Sequence, residues 1–419
     1  MLNRKLAPPF QKTISLSLPD PAEIQLSSGI KIFYFEGIKQ NIVKVELIFS
    51  AGKWAEPSIG LSHFTSMMLE KGTAKKNSAE IAETLDRYGA SLEIGPGFDF
   101  VSVSLYSLKN KLRNIFPVFL EILTEPAFPE KEWIQMRDIF LQNLKINNEK
   151  TSYLASKIIR QNVFGETHPY GSSLEEANVN LIQPDKLITF FKSAFHVHSV
   201  YIVGDLPDSE IEFLRDGLNR LTPEKKSVHS IPSPTVQPFS KQVTLDGRLQ
   251  SSVRLAKRSI LKTHAEYPDV LIVTHLLGGF FGSRLMKNIR EEKGLTYGIS
   301  SSLNTFKNDS LFIIGADVNK ENVSIVIAEV KKELRKLFTV RVPDQELNLA
   351  RNHFIGSLQT DMANPFSVEE KIKNINLNEL PRNFYQNLLN RIDQITPEEI
   401  LIAAQKYLDD KTLFEVVVG

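Results

Sequence analysis

The chain matches itself at half its own length. Ile182-Gln183-Pro184-Asp185-Lys186-Leu187-Ile188 corresponds to Ile395-Thr396-Pro397-Glu398-Glu399-Ile400-Leu401, an offset of 213 residues (395 − 182). Each segment begins a helix, with proline two residues in and acids in the first turn, where the helix dipole favours them. Each helix leads to a β-rich end, Val200-Tyr201-Ile202-Val203-Gly204 or Glu415-Val416-Val417-Val418-Gly419, now 215 residues apart (419 − 204). A chain of 419 residues allows two to four domains at roughly 100–200 residues each. The repeat favours two halves.

The order of elements agrees. Val43 to Phe49 reads as a strand and Gly60 to Lys71 as a helix. A second helix runs from Ser78 to Tyr88, with Asn77 as N-cap, Glu80 completing a capping box, Ile81, Leu85 and Tyr88 on one face, and Gly89 at the end. Phe98 to Leu108 alternates as a half-buried strand, and a helix covers Lys111 to Leu123. The second half repeats the order: strand Ser252 to Ala256, helices Tyr267 to Leu277 and Ser283 to Glu292, strands Tyr297 to Thr305 and Leu311 to Val318, helix Glu321 to Phe338. Pro232, Pro234 and Pro238 give residues 225–242 the composition of a linker. The expected architecture is therefore α+β: a domain over 1–224, the linker, and a similar domain over 243–419, each with a mixed or antiparallel sheet and flanking helices.

Composition narrows the chemistry. Hydrophobic residues are 42% and charged residues 24%, the balance of a folded globular protein. With 50 basic and 49 acidic side chains, the net charge of +1 offers no general attraction to nucleic acid or to an anionic membrane. The sequence contains no cysteine, which removes thiolate nucleophiles, disulfides and cysteine-ligated zinc. Residues 1–9 lack the apolar stretch of a signal peptide, and no later run is long enough to span a bilayer, so a cytoplasmic location is expected.

The most informative stretch is Gly60-Leu61-Ser62-His63-Phe64-Thr65-Ser66-Met67-Met68-Leu69-Glu70-Lys71-Gly72-Thr73. Leu61, Phe64 and Met68 form its buried stripe, while positions 63 and 67 stand one turn apart, the spacing of two metal-binding histidines on a helix. The segment resembles the inverted zinc motif H-x-x-E-H of the pitrilysin/insulinase peptidases, with its Gly-Leu before and Lys-Gly-Thr after. The resemblance extends to Phe49-Ser50-Ala51-Gly52 with Glu56, Tyr88-Gly89-Ala90, His168-Pro169-Tyr170-Gly171 and Val203-Gly204-Asp205. It implies tandem α+β domains forming half of a clamshell. The chain departs from that pattern where the chemistry lies. Ser66 replaces the general-base Glu, Met67 replaces the second histidine ligand, and Asn143, in Arg137-Asp138-Ile139-Phe140-Leu141-Gln142-Asn143, replaces the third ligand. Catalytic zinc takes three protein ligands and a water, a serine is no carboxylate base near neutral pH, and a thioether is a poor zinc ligand. The chain alone is expected to be inactive, with no metal of its own and His63 a structural residue. His168 reads as a turn residue, and His196 and His198 as strand residues with no acidic or histidine partner evident nearby.

In the second half, Gly278-Gly279-Phe280-Phe281-Gly282-Ser283-Arg284-Leu285-Met286-Lys287-Asn288-Ile289-Arg290-Glu291-Glu292-Lys293-Gly294-Leu295-Thr296-Tyr297 follows the family closely. Its glycines lack the Gly-Lys-Ser/Thr ending of a phosphate loop. Leu285 and Ile289 read as core-facing, and Arg284, Lys287 and Arg290 as a solvated face. The resemblance raises Arg290 and Tyr297 above that reading, because such a pair in the non-zinc half of these peptidases reaches substrate beside the zinc. It implies a non-catalytic subunit that supplies Arg290 and Tyr297 to a zinc-bearing homologous partner acting on peptides. The competing expectation is a non-enzymatic scaffold or peptide-binding protein, paired with a second copy of itself.

Overall fold

The structure, a computed structural model, describes residues 18–36, 40–224 and 237–419. The first half contains β1 (Ala22–Gln25), β2 (Lys31–Phe35), β3 (Ile42–Phe49), α1 (Leu61–Met68), α2 (Ser78–Tyr88), β4 (Ser91–Pro96), β5 (Val101–Leu108), α3 (Leu112–Thr124), α4 (Glu130–Asn148), α5 (Thr151–Phe164), α6 (Glu176–Asn180), α7 (Pro184–Ala194), β6 (Val197–Val203) and α8 (Asp208–Leu218). The second contains β7 (Ser240–Val243), β8 (Gln250–Arg258), α9 (Tyr267–Gly278), a π-helical segment Met286–Glu292, β9 (Thr296–Thr305), β10 (Ser310–Asn319), α10 (Val323–Thr339), α11 (Asp344–Asp361), α12 (Pro365–Leu377), α13 (Phe384–Gln394), α14 (Pro397–Tyr407) and β11 (Phe414–Val418).

The two sheets share one topology. Their strand orders are β1-β2-β6-β3-β5-β4 and β7-β11-β8-β10-β9, so they coincide once β1 is set aside. In both, the repeated C-terminal strand pairs parallel with one neighbour (β2–β6, β7–β11) and antiparallel with the other. Two similar α+β halves with mixed sheets are thus what the repeat encodes. Of the linker expected over 225–242, residues 225–236 lie outside the described residues, and Ser240–Val243 forms β7. The expected capping box of α2 is present: Asn77 Oδ1 accepts from the Glu80 amide (2.9 Å), Glu80 Oε2 accepts from the Asn77 amide (2.8 Å), and Gly89 closes the helix in the left-handed region.

Each half covers the other's sheet. Helix α5 belongs to the first half by sequence, yet its Ala155, Ile159 and Phe164 pack with Ala256, Phe414 and Val416 of the second sheet. Helix α12, which begins 214 residues after α5 (365 − 151), places Ile372 against Phe33, Tyr201 and Val203 of the first sheet. Both helices lie on faces that would otherwise expose β-branched and aromatic side chains, and each fully buried one contributes about 1.5–3 kcal/mol.

Helix α12 also carries charge into this contact. Lys44 Nζ on β3 lies 2.6 Å from Glu369 Oε2 and 2.8 Å from Glu46 Oε2, and Lys373 Nζ lies 2.8 Å from Glu46 and 2.5 Å from Glu370. Three carboxyls thus face two ammonium groups. Burial raises Glu369 to about 7 despite the neighbouring Lys373 and Lys44. Burial opposes ionisation of Glu46 as well, but there Lys373 and Lys44 prevail and hold it below the usual carboxylate range.

Removing one partner of a buried ion network strands the others. Lys44→Met is expected to cost about 3–5 kcal/mol in urea unfolding and to melt both halves in one transition; two independent transitions would contradict the exchange of helices. Because the folded chain keeps the Glu369 proton that the unfolded chain releases above its ordinary 4.5, this group's contribution to stability is full below pH 4.5 and falls as the pH rises to about 7. Thermal melts of Glu369→Gln across that window are expected to lack this fall.

Candidate functional site

Helix α1 is positioned from its N-terminus. Glu56 Oε2 accepts from the amides of Gly60 (3.1 Å) and Ser62 (3.0 Å), a carboxylate at the positive end of the helix dipole. Gly60 turns the chain at φ 102, a left-handed conformation suited to glycine. Ser62 Oγ donates to the Ala51 carbonyl (2.6 Å), tying the helix to the end of β3. Gly52 is required there, since a Cβ would stand 2.4 Å from the Asp99 backbone. The sequence block Phe49-Ser50-Ala51-Gly52 with Glu56 therefore sets the pose of the helix that carries His63.

His63 faces a cavity of about 250 Å³ that Lys53, Glu56, Phe98 and Phe140 also line. Its imidazole sits at the edge of Phe64 (centroids 5.1 Å) and against Phe140 (5.5 Å). Burial and then the Lys53 ammonium lower its pKa. Burial brings Lys53 itself down to about 8, and Lys53 Nζ donates to the Ser172 carbonyl (2.7 Å). Ser66 is fully buried and its hydroxyl donates to the Ser62 carbonyl one turn back (2.7 Å). Met67 is half-buried, and Asn143 on α4 is exposed. What α4 brings to His63 is Phe140, one turn earlier. These residues do not fit a zinc ion: an aromatic ring and an ammonium face the imidazole where a second histidine and a carboxylate would be needed.

The other histidines have local roles. His168 is buried in its turn, and its Nδ1 accepts from the Tyr170 amide (3.2 Å). His198 corrects the sequence reading. An acidic neighbour is present, with Nε2 3.8 Å from Glu224 Oε2 beyond the helix that follows β6, but burial lowers the His198 pKa and disfavours its charged form.

Arg290 and Tyr297 are brought together in the second half. Arg290 Nε donates to the Tyr297 backbone carbonyl (3.0 Å), and its guanidinium lies 4.6 Å over the Phe281 ring, a cation–π contact. The Tyr297 side chain is 92% exposed and Phe281 60% exposed. Tyr297 stands on β9, an edge strand that pairs only with β10 among the described residues. The expected α-helix over Ser283–Glu292 is instead π-helical from Met286 to Glu292. The wider turn allows consecutive Asn288 and Ile289 both to be buried, with Asn288 Nδ2 donating to Glu329 (2.9 Å) and Glu333 (2.7 Å) of α10. That anchor fixes the segment carrying Arg290. Arg284 is not simply solvated: it makes a bidentate pair with Glu346 of α11 (2.7 and 3.0 Å). Sequence reasoning missed the roles of Phe281 and Phe140, although both lay inside blocks it quoted.

A helix carrying a degenerate inverted zinc motif in one half, and an Arg/Tyr pair on an edge strand in the other, define a metallopeptidase-like protein. The family model described as Insulinase (Peptidase family M16) matches residues 34–177, and that described as Peptidase M16 inactive domain matches residues 182–354. The chain belongs to the M16 (insulinase) peptidase family. It is 26% identical over 362 residues to a Helicobacter pylori protein named "Non-peptidase homolog YmxG", covering 84% of this chain and 83% of that one. It is 20% identical over 362 residues to a Bacillus subtilis protein named "Uncharacterized zinc protease YmxG", covering 84% and 87%. The fold matches the crystal structure of a peptidase M16 inactive domain from Pseudomonas fluorescens with a TM-score of 0.87 at 23% identity, over 96% of this chain and 98% of that one. Among the described residues no helix is long and apolar enough to cross a membrane.

The depressed His63 gives a direct check on this environment. In an NMR titration His63 is expected to ionise below 6.5, and Lys53→Met to move its midpoint upward by removing a nearby positive charge. A midpoint at or above 6.5 that ignores Lys53→Met would refute the assigned surroundings.

Proposed function

We propose that this chain is the non-catalytic subunit of a two-chain, zinc-dependent peptidase. It supplies Arg290 and Tyr297 to substrate bound at a homologous partner's zinc site. The observation that carries the reading is the contrast between the halves: in the first, His63 meets Phe140 rather than further metal ligands and Ser66 is bound to its own helix, whereas Arg290 and Tyr297 are paired and Tyr297 stands exposed on an edge strand. The M16 inactive-domain match over residues 182–354 and the relative named a non-peptidase homolog agree with the first part of that contrast. The zinc and its chemistry belong to the partner.

This chain's contribution follows from its donors. With Nε held by the Tyr297 carbonyl, the other guanidinium N–H groups of Arg290 are available to substrate, and so is the Tyr297 phenol. An extended peptide added along β9 gains backbone hydrogen bonds from the strand edge. It then presents a carbonyl to both donors, which stabilise the negative charge that develops on its oxygen during hydrolysis. Phe281 keeps the guanidinium in place without using its hydrogen bonds.

The test is peptide cleavage by this chain alone, by the zinc-motif homologue alone and by the mixture. Activity is expected only in the mixture, and Arg290→Ala and Tyr297→Phe are each expected to lower its kcat by about 10²–10³ while the two chains still co-purify. Unchanged activity with both variants would sink the trans role and leave a scaffold.

A further inference from the structure

A second cavity, of about 610 Å³, opens inside the second half between α9, α11, α12 and α13. Its size is that of small-molecule sites, which run roughly 300–1,000 Å³. Tyr267, Leu271, Phe354, Phe384 and Leu388 give it apolar walls. Its polar groups fall into separate sets: His275 and His353 hydrogen-bond each other (3.1 Å) at one side, and Lys262, Asn374 and Tyr385 form a linked trio at another. Lys262 Nζ donates to Asn374 Oδ1 (2.6 Å), and Asn374 Nδ2 donates to the Tyr385 hydroxyl (2.8 Å). Asn374 Oδ1 also accepts from Asn378 Nδ2 (3.1 Å), so its acceptor capacity is filled. What remains at this end of the cavity is donors: the other ammonium protons of Lys262 and the phenol proton of Tyr385.

Among the described residues no carboxylate lies within ion-pair distance of Lys262. The cavity's two carboxyls are engaged elsewhere, Asp361 with Lys371 (3.4 Å) and Glu370 with Lys44 (3.1 Å) and Lys373 (2.5 Å). Burial, and then the like charge of Lys371, bring Lys262 down to about 8. A partly desolvated ammonium without a counterion is costly, and a ligand that supplies the missing charge reduces that cost. One uncompensated positive charge matches one carboxylate. The flat rings of Tyr267, Phe354 and Phe384 suit an aromatic or broad apolar body.

We propose that this cavity binds a small carboxylate with an aromatic or apolar body, its anionic group held by Lys262 and Tyr385. Asn374 is the positioning residue that orients both donors. The occupant rests on α12, the helix that also crosses to the first sheet, so it is expected to raise the melting temperature of the whole chain.

The experiment is calorimetric titration of the full chain at pH 7 with 2-naphthoate, 2-naphthamide and 2-naphthyl phosphate. Saturable binding of 2-naphthoate is expected, at least tenfold tighter than that of the uncharged amide or the phosphate. Lys262→Gln is expected to weaken it at least tenfold. Asn374→Asp places a carboxylate beside Lys262 within the chain, so this variant should fold and yet fail to bind 2-naphthoate. No saturable binding, equal binding of the amide, tighter binding of the phosphate, or full affinity in folded Asn374→Asp would each overturn the proposal.

Discussion

The contact on which the rest of the structure depends is the one between α12 and the first sheet. Lys44 and Glu46, on a strand otherwise made of Val43, Val45, Leu47, Ile48 and Phe49, meet Glu369 and Lys373 with almost no exposed surface. Such a network is not a cheap source of stability, because desolvating the charges offsets much of their attraction. Its value is specificity: only α12 in its observed register satisfies Lys44 and Glu46 together. The reciprocal contact of α5 with β8 and β11 is mainly apolar, with Ser252 donating to Thr151 (3.1 Å) and Arg254 to Ser156 (3.4 Å), so the buried charge is concentrated on the α12 side of the exchange.

This interlock makes the two halves one body and fixes what each presents. Helix α1 is held by Glu56, Ser62 and Gly60, and β9 by its long antiparallel pairing with β10. On that frame the two candidate sites have different surroundings. At His63, Phe64 and Phe140 flank the imidazole at the wall of a cavity, and Ser66 back-bonds to its own helix. Tyr297 is exposed, and the half-buried Arg290 lies on a π-helical segment anchored through Asn288. Ser66 and Phe140 are engaged in local packing, whereas the Tyr297 side chain on the edge strand is exposed.

The sequence was most legible where local chemistry decides structure. The capping box at Asn77 and Glu80 and the two proline-started helices at Pro184 and Pro397 all stand as their residues indicate. The poor ligand chemistry of Ser66, Met67 and Asn143 is likewise a matter of residue type alone. What was hidden depends on contacts distant in sequence. Nothing local in α5 says that Ile159 covers the opposite half's sheet, and nothing near His198 points to Glu224. The strand Ser91–Pro96 is short and ends in Gly-Pro, which suggests a turn, yet it pairs along β5 as the sheet's edge. The π-helical turn was unreadable because it is imposed by burying Asn288 onto Glu329 and Glu333. One signal was available and unused: Lys44 and Glu46, alternating within an apolar strand, required buried partners from elsewhere.

The central claim is a division of labour, with the metal on one chain and the Arg/Tyr pair on the other. Native mass spectrometry of the complex between this chain and a zinc-motif homologue tests it most directly. The account predicts a one-to-one heterodimer carrying a single zinc, with the metal following the homologue when the chains are separated. Zinc retained by this chain on its own, or two zinc ions per pair, would contradict it.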